Sequence, residues 1–417
     1  IELLAPARDL DGGIAAIDSC ADAGYIGAPR FGARAKVGNP LQDIAALVEH
    51  AHAYWARVYV TVNTLLYDDE LPQAAQLLRQ LYDMGVDGAI IQDVGLLECD
   101  LPPMALIAST QMHNHTPERV GFLEQIGIQR VILARELSLE QIRAIRARTS
   151  VELETFVHGA LCVSYSGQCY MSYALGGRSG NRGECAQPCR RKYTLLDGDG
   201  KPIAQDLHLL SLRDLNLSAH LGELLDAGVT SFKIEGRLKD RAYVVNVVSW
   251  YRQQLDRALE ARGWARSSSG DSSIDFQPDV SKTFNRGFTT YFLQGRTQPP
   301  GAVDTPKMVG EHAGTVSAVR DRSFVLDTDL TLQSGDGLCW FDAHRELRGT
   351  VVNAVQPTQG ERPQVIVTPE KMAGLSKGLR IYRNRDHAFL RQVERSQPVR
   401  KVQVRLRLQA IPEGLVL

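Results

Sequence analysis

The sequence predicts an α/β protein: a (β/α)8, TIM-like barrel with a cysteine-bearing insertion after its seventh strand, followed by a small β-rich, barrel-like domain. Three observations predict it. Eight short apolar runs fall within residues 1–262, and most are separated by amphipathic helical segments. The first run is not followed by the glycine-rich turn that a doubly wound, dinucleotide-binding sheet would carry. Four closely spaced cysteines lie between the seventh and eighth runs, on the side of a barrel where catalytic loops gather.

The strand-like runs are Glu2–Ala5, Tyr25–Gly27, Arg57–Asn63, Gly88–Gln92, Ala105–Ser109, Arg130–Ala134, Val151–Val157 and Ser231–Glu235. Helical period marks Leu41–Tyr54, Leu71–Met84, Pro117–Ile126 and Leu139–Ala147, and Gly24, Gly85, Gly127 and Gly228 punctuate the turns into the next strands. Thr116 before Pro117 reads as an N-cap with a proline-led first turn. Val244, Val248, Tyr251, Leu255 and Leu259 define the last helix of the barrel domain, which the sequence bounds at 1–262 with its insertion at 158–230. The serine-rich, aperiodic stretch 263–279 reads as a linker. Residues 280–417 read as the β-rich domain, with runs at Gly314–Val319, Phe324–Thr328, Gly349–Val355, Gln364–Thr368 and Val399–Leu408. In the last run Val402, Val404, Leu406 and Leu408 alternate with polar residues, as in a half-buried strand. The apolar run at Leu417 leads us to expect a further segment beyond it.

A chain of 417 residues exceeds what one hydrophobic core supports, so two domains are expected. With 44% hydrophobic and 23% charged residues, the composition excludes disordered, collagen-like and disulfide-scaffold classes. The formal charge of −1, from 47 basic and 48 acidic side chains, excludes a globally basic nucleic-acid footprint, so any RNA contact must rest on a local patch. No apolar window is long enough for a membrane span, and no charged-then-apolar leader opens the sequence at Ile1. An odd total of seven cysteines without an export signal points to a reducing cytoplasm.

Cys162, Cys169, Cys185 and Cys189 follow the pattern C-x6-C-x15-C-x3-C. Only the second pair has the short spacing that zinc ribbons prefer, and the run of two-residue gaps found in bacterial ferredoxins is absent. The spacing therefore leaves open a 4Fe–4S cube, a zinc site, or unligated buried thiols. Cys20, among Ala and Ile on a helix, and Cys339, in an apolar β run, read as core residues.

Several stretches are distinctive: ELLAPARD at Glu2–Asp9, FVHGALCVSYSGQCY at Phe156–Tyr170, GRSGNRGECAQPCR at Gly177–Arg190 and SFKIEGR at Ser231–Arg237. Phe31–Arg34 (FGAR), Ala108–Gln111 (ASTQ), Leu133–Leu137 (LAREL) and Phe284–Phe292 (FNRGFTTYF) add to them. Over nearly the whole chain this resembles the collagenase-like peptidase family of unknown catalytic type, and within it the members that hydroxylate RNA. The resemblance implies a 4Fe–4S cluster held by Cys162, Cys169, Cys185 and Cys189. It implies oxygen-independent formation of 5-hydroxycytidine in 23S rRNA or its assembly intermediate, with prephenate as co-substrate and the iron–sulfur assembly machinery as partner. Relatives acting on tRNA uridine or ubiquinone are the alternative, and a zinc-stapled RNA-binding or assembly protein is the reading without turnover.

Residues at the strand ends form the candidate site. Arg8 follows the first strand, Arg34 the second and Asn63 the third. Gln92 and Asp93 end the fourth, Gln111 and His113 follow the fifth, and Arg135 and Glu136 follow the sixth. His158 ends the seventh, while Glu235 and Arg237 end the eighth. Such a ring suits an anionic substrate and proton transfer, with His158, Glu235, Arg237 and Arg135 as catalytic candidates. Arg8, Arg34, Asn63, Gln92, Gln111, Arg178 and Arg182 are the substrate-binding candidates, although polar residues at strand ends also cap helices or pair among themselves. Alternation points Lys233 into the barrel beside Glu235, where an ion pair competes with a catalytic role. Arg178, Arg182, Arg190, Arg191 and Lys192 against Glu184 make a basic patch for RNA phosphate or a dianionic acid; a merely solvated loop is the bland alternative. Tyr165 and Tyr170 could stack on a base, and His113 with His115 could form a metal pair. Protease chemistry lacks its parts: Ser164 and Ser166 sit in no nucleophile elbow, and no His-Glu-x-x-His helix exists.

Overall fold

The structure, a computed structural model, describes residues 1–34, 38–358, 363–411 and 414–416. The barrel begins with strand β1 (Glu2–Ala7), helix α1 (Leu10–Asp18), β2 (Ala23–Gly27), α2 (Leu41–His52), β3 (Arg57–Val62), α3 (Leu71–Asp83) and β4 (Gly88–Ile91). It continues through β5 (Ala105–Ala108), α4 (Pro117–Gln125), β6 (Arg130–Ile132), α5 (Leu139–Arg146) and β7 (Glu152–Gly159). The insertion then holds α6 (Met171–Gly176), the hairpin β8 (Tyr193–Leu196) and β9 (Pro202–Leu207), and β10 (Asp214–Asn216). Helix α7 (Leu221–Asp226) leads to β11 (Ser231–Ile234), the eighth barrel strand, and α8 (Arg241–Glu260). β11 pairs in parallel with both β7 and β1, which closes the barrel.

Local chemistry explains these elements. Asp9, Thr116 and Asp240 each accept a backbone N–H from the first turn of their helix, and Ser138 with Gln141 forms a reciprocal capping box at α5. The barrel strands are buried almost end to end, as parallel strands covered by helices must be. Between β4 and β5 a short 3-10 turn at Val94–Glu98 stands where a helix of the ring would be. Asp93 caps that turn and also accepts the N–H of Leu66, so its carboxylate is structural.

The chain continues with β12 (Asp271–Ser273), β13 (Phe288–Thr289) and β14 (Glu311–Val319). The next elements are β15 (Phe324–Asp327), β16 (Gly337–Phe341), β17 (Leu347–Pro357), β18 (Gln364–Pro369), β19 (Arg380–Arg385) and α9 (His387–Arg395), followed by β20 (Val399–Lys401), β21 (Gln409–Ile411) and β22 (Gly414–Val416). β14, β15, β18, β17, β16 and β19 close a six-stranded antiparallel barrel around Phe324, Leu338, Trp340 and Ile381. Helix α9 ties it to the first barrel, packing Phe389 and Val393 with Phe276 against Ala15 of α1 and Val245 of α8.

Three expectations are corrected here. Residues 263–279 do not form a free linker. Ser268 is buried and bonds to Asp22 and Arg400, while β12 pairs with β20. Serine-rich composition reads as solvated, but these hydroxyls complete a buried cluster in which Arg252 also holds Asp22 at 2.7 Å. Residues 280–310, grouped by sequence with the β-rich part, pack on the first barrel: β13 extends β10, and Val280 and Leu293 join its core. The strand at Val399–Leu408 stops at Lys401, where its partner β12 ends, and Val402, Val404, Leu406 and Leu408 are exposed. Leu417 lies outside the described residues. Among the described residues, no helix is long and apolar enough to cross a membrane.

Candidate active site

The C-terminal mouth of the first barrel holds a polar cavity lined by Tyr25, Arg34, Thr61, Asn63, Gln111, Arg135, Phe156, Lys233, Glu235 and Arg237, among others. Its floor is an ion pair, Lys233 Nζ to Glu154 at 2.9 Å, with the ammonium 4.2 Å above the Tyr25 ring. Below the floor Arg130 bridges Glu2, Glu152 and Glu154, so charges inside the barrel are paired and locked. Alternation is right that Lys233 faces inward, and the ion pair takes its ammonium.

Above the floor the balance is different. Arg135 Nη2 lies 3.1 Å and Arg34 Nη2 3.7 Å from the Glu235 carboxylate. Arg237 donates to Thr61 Oγ1 at 2.7 Å. Burial would raise the pKa of Glu235, but Arg34, Arg135 and Arg237 overcome it and hold the group below the ordinary carboxylate value. Three guanidinium groups around one carboxylate leave two positive charges in excess. Arg135 lies over the Phe156 ring at 3.8 Å, and its buried Nε has no hydrogen-bond partner. Asn63 braces the rim, accepting the N–H of Ala33 at 3.0 Å and donating to Ser109 Oγ at 3.1 Å.

The four clustered cysteines stand at the same mouth, and none is in a disulfide. Burial raises the pKa of Cys162; Arg135 opposes this while Cys169 and Cys185 reinforce it. Cys189 is likewise raised by burial, with Arg190 opposing and the other three thiols reinforcing. Arg135 lines the cavity and also favours the thiolate of Cys162 electrostatically. The donor set, four thiols on loops beside guanidinium groups, suits a thiophilic metal group. Among the described residues, no three His, Cys, Asp or Glu side chains are arranged to hold a single metal ion.

The cysteine loop is seated on the cavity rim. Gly167 has φ +71°, and a Cβ there would fall 1.7 Å from the carbonyl oxygen of Gln111. Ser166 is buried, and both its N–H and hydroxyl donate to Glu136 at 3.3 Å, which leaves it no role as a nucleophile. Glu136 also lies 3.2 Å from His113, whose ring stacks on His115 at 3.9 Å.

Several predicted site residues do not reach the cavity. The pairing of β7 with β11 passes from Phe156–Lys233 to His158–Ile234, a bulge at Val157 that turns His158 to the outer face with Ile234. There it sits among Tyr243, Tyr251 and Phe288 with ring centroids 5.3–6.0 Å away, and burial lowers its pKa to about 3. His158 is therefore a neutral packing residue rather than a cavity acid or base. Arg8 is exposed beside Asp9. Gln92 donates to the Gln111 carbonyl at 3.4 Å and supports the rim from behind. Arg182 is spent on a two-pronged pair with Glu70 at 2.8 and 2.9 Å and on the Leu65 carbonyl. Arg190 clamps the carbonyls of Leu161 and Leu212, and Lys192 pairs with Glu346 of the second barrel. Of the basic patch, Arg178 and Arg191 remain exposed. Sequence reasoning missed Tyr25, Thr61 and Phe156, although Phe156 shares the inward parity of Glu154 on β7.

The fold and site define a TIM-barrel protein with a cationic cavity at its catalytic mouth and a thiol-rich cap beside it. The chain belongs to peptidase family U32, whose profile matches residues 8–301. It is 46% identical to "23S rRNA 5-hydroxycytidine C2501 synthase" of Escherichia coli, an alignment that covers all of this chain but 64% of that relative's length. It is 34% identical to "tRNA hydroxylation protein P1" of Bacillus subtilis, covering 75% of this chain and 74% of the relative. "Collagenase" of Porphyromonas gingivalis is 30% identical, covering 71% and 74% respectively.

Proposed function

We propose that this chain is the catalytic part of an iron–sulfur-dependent RNA hydroxylase that forms 5-hydroxycytidine in 23S rRNA, without molecular oxygen and with prephenate as co-substrate. The similarity to the Escherichia coli relative supports the substrate class, and that to the Bacillus subtilis relative supports hydroxylation of RNA more broadly. The observation that carries the reading is the 46% identity to the Escherichia coli relative over the whole of this chain, which includes the cavity with three guanidinium groups at the barrel mouth.

Cys162, Cys169, Cys185 and Cys189 would hold the cluster. Four free thiols, one for each iron of a cube, match the ligand count of a 4Fe–4S cluster. When bound, the cluster supplies one-electron redox chemistry at the barrel mouth. The two excess positive charges of Arg34, Arg135 and Arg237 suit a dicarboxylate such as prephenate. Glu235, held ionised, orients Arg34 and Arg135 rather than donating a proton near neutral pH. A cytidine must be unpaired to enter the cavity, so free RNA or an assembly intermediate is the substrate. The setting is the cytoplasm, where the iron–sulfur assembly machinery would load the site.

The test is nucleoside mass spectrometry of rRNA and tRNA from a strain lacking the gene, with rescue by wild type or Cys185→Ser. Loss of hydroxycytidine from rRNA alone, restored only by wild type, is expected. Unchanged RNA would overturn the reading. Anaerobic purification gives an independent measure: a brown protein absorbing near 400 nm with about four irons per chain is expected, and a colourless protein with one zinc would refute the cluster.

A further inference from the structure

The outer face of the insertion carries aromatic side chains that no fold requirement explains. Tyr165, Tyr170 and Tyr173 are 57%, 61% and 59% exposed, and Tyr67, reached across the rim, is 62% exposed. Three of them lie on the cysteine-bearing insertion. Tyr165 sits on the cysteine loop with its ring 5.2 Å from His113, next to the Gln111 carbonyl against which Gly167 is pressed. Tyr170 follows Cys169 directly, and Tyr173, three residues on at the start of α6, shares its face. Arg182 lies 4.2 Å over the Tyr67 ring and anchors it to the insertion.

We infer that this face is a stacking platform for a single-stranded segment of RNA, which it guides so that one unpaired base enters the cavity. The inference rests on the RNA reading above and names the surface that reading requires. Rings with polar tips on an otherwise watery surface offer π-faces to any base without needing a hydrophobic partner to cover them. Two cations of the insertion not consumed by protein carboxylates, Arg178 and Arg191, face solvent beside exposed Glu184 and offer contacts to a phosphate backbone.

The test uses the full chain, prepared anaerobically, and a single-stranded RNA oligonucleotide carrying 5-bromocytidine. Tyr165→Ala, Tyr170→Ala, Tyr173→Ala and Tyr67→Ala should each weaken binding, measured by fluorescence anisotropy, by roughly 5- to 150-fold. Tyr→Phe at the same sites should stay within about twofold, because the ring face remains. Trp55, 79% exposed beyond the opposite end of β3, supplies the control: Trp55→Ala should bind as wild type. Photocrosslinks should map to residues 162–178. If wild type binds RNA and the alanine variants bind it equally well, the platform is refuted and the RNA reading survives. If wild type neither binds RNA nor supports its hydroxylation, the reading falls and the platform with it. Loss of a ribosomal-protein contact at unchanged RNA affinity would reassign the face and overturn the inference.

Discussion

Arg135→Met isolates the proposed role of the cavity. At 3.1 Å, the Arg135–Glu235 pair has a gross attraction of about 5 kcal/mol at an effective dielectric constant of 20. Desolvation of the two groups cancels much of it, and Arg34 at 3.7 Å stays with Glu235 in the variant. The cost in folding stability should therefore be about 1–2 kcal/mol, below the 3–5 kcal/mol typical of orphaning a buried charge. Binding should suffer more specifically. The variant halves the excess positive charge and removes the donor over Phe156, so a dicarboxylate loses one charge-assisted hydrogen bond, about 2 kcal/mol or roughly thirtyfold in Kd. Equilibrium dialysis with prephenate, alongside urea unfolding of the same samples, reads both quantities. Arg135→Lys should fall between wild type and Met, since it keeps the charge and loses the fork. A folded Arg135→Met protein that binds prephenate within threefold of wild type would show that the cavity does not hold this anion.

Gly167→Ala should dislodge the cysteine loop, because the left-handed backbone and the Gln111 carbonyl leave no room for a methyl group; iron per chain after anaerobic purification should fall below half of wild type, with the far-ultraviolet circular dichroism unchanged. His158, with its folded pKa lowered to about 3, binds a proton in the unfolded chain before it does in the folded one. Its contribution is therefore fully present above about pH 6.5 and is lost as pH falls toward 3. His158→Phe should flatten that decline by an amount on the order of 5 kcal/mol, and an unchanged acid-unfolding profile would contradict the assignment of a neutral histidine.

The (β/α)8 architecture was legible in the sequence because strand and helix periodicities are local properties, and so are the caps at Asp9, Thr116 and Ser138. The cysteine motif was legible for the same reason: its spacing and neighbouring residues lie within one insertion. What sequence could not supply were outcomes that depend on partners far along the chain. His158 has inward parity by simple counting, and only the pairing of β7 with β11 reveals the bulge that turns it toward α8. Arg182 reads as a free cation until Glu70, more than a hundred positions away, is seen to take it. Ser268 reads as linker until Asp22 and Arg400 are brought against it. Local sequence determined which groups the molecule carries and on which kinds of element. Tertiary structure decided which charges remain unspent, because a buried ion pair forms only where folding removes two charges from water at the same place.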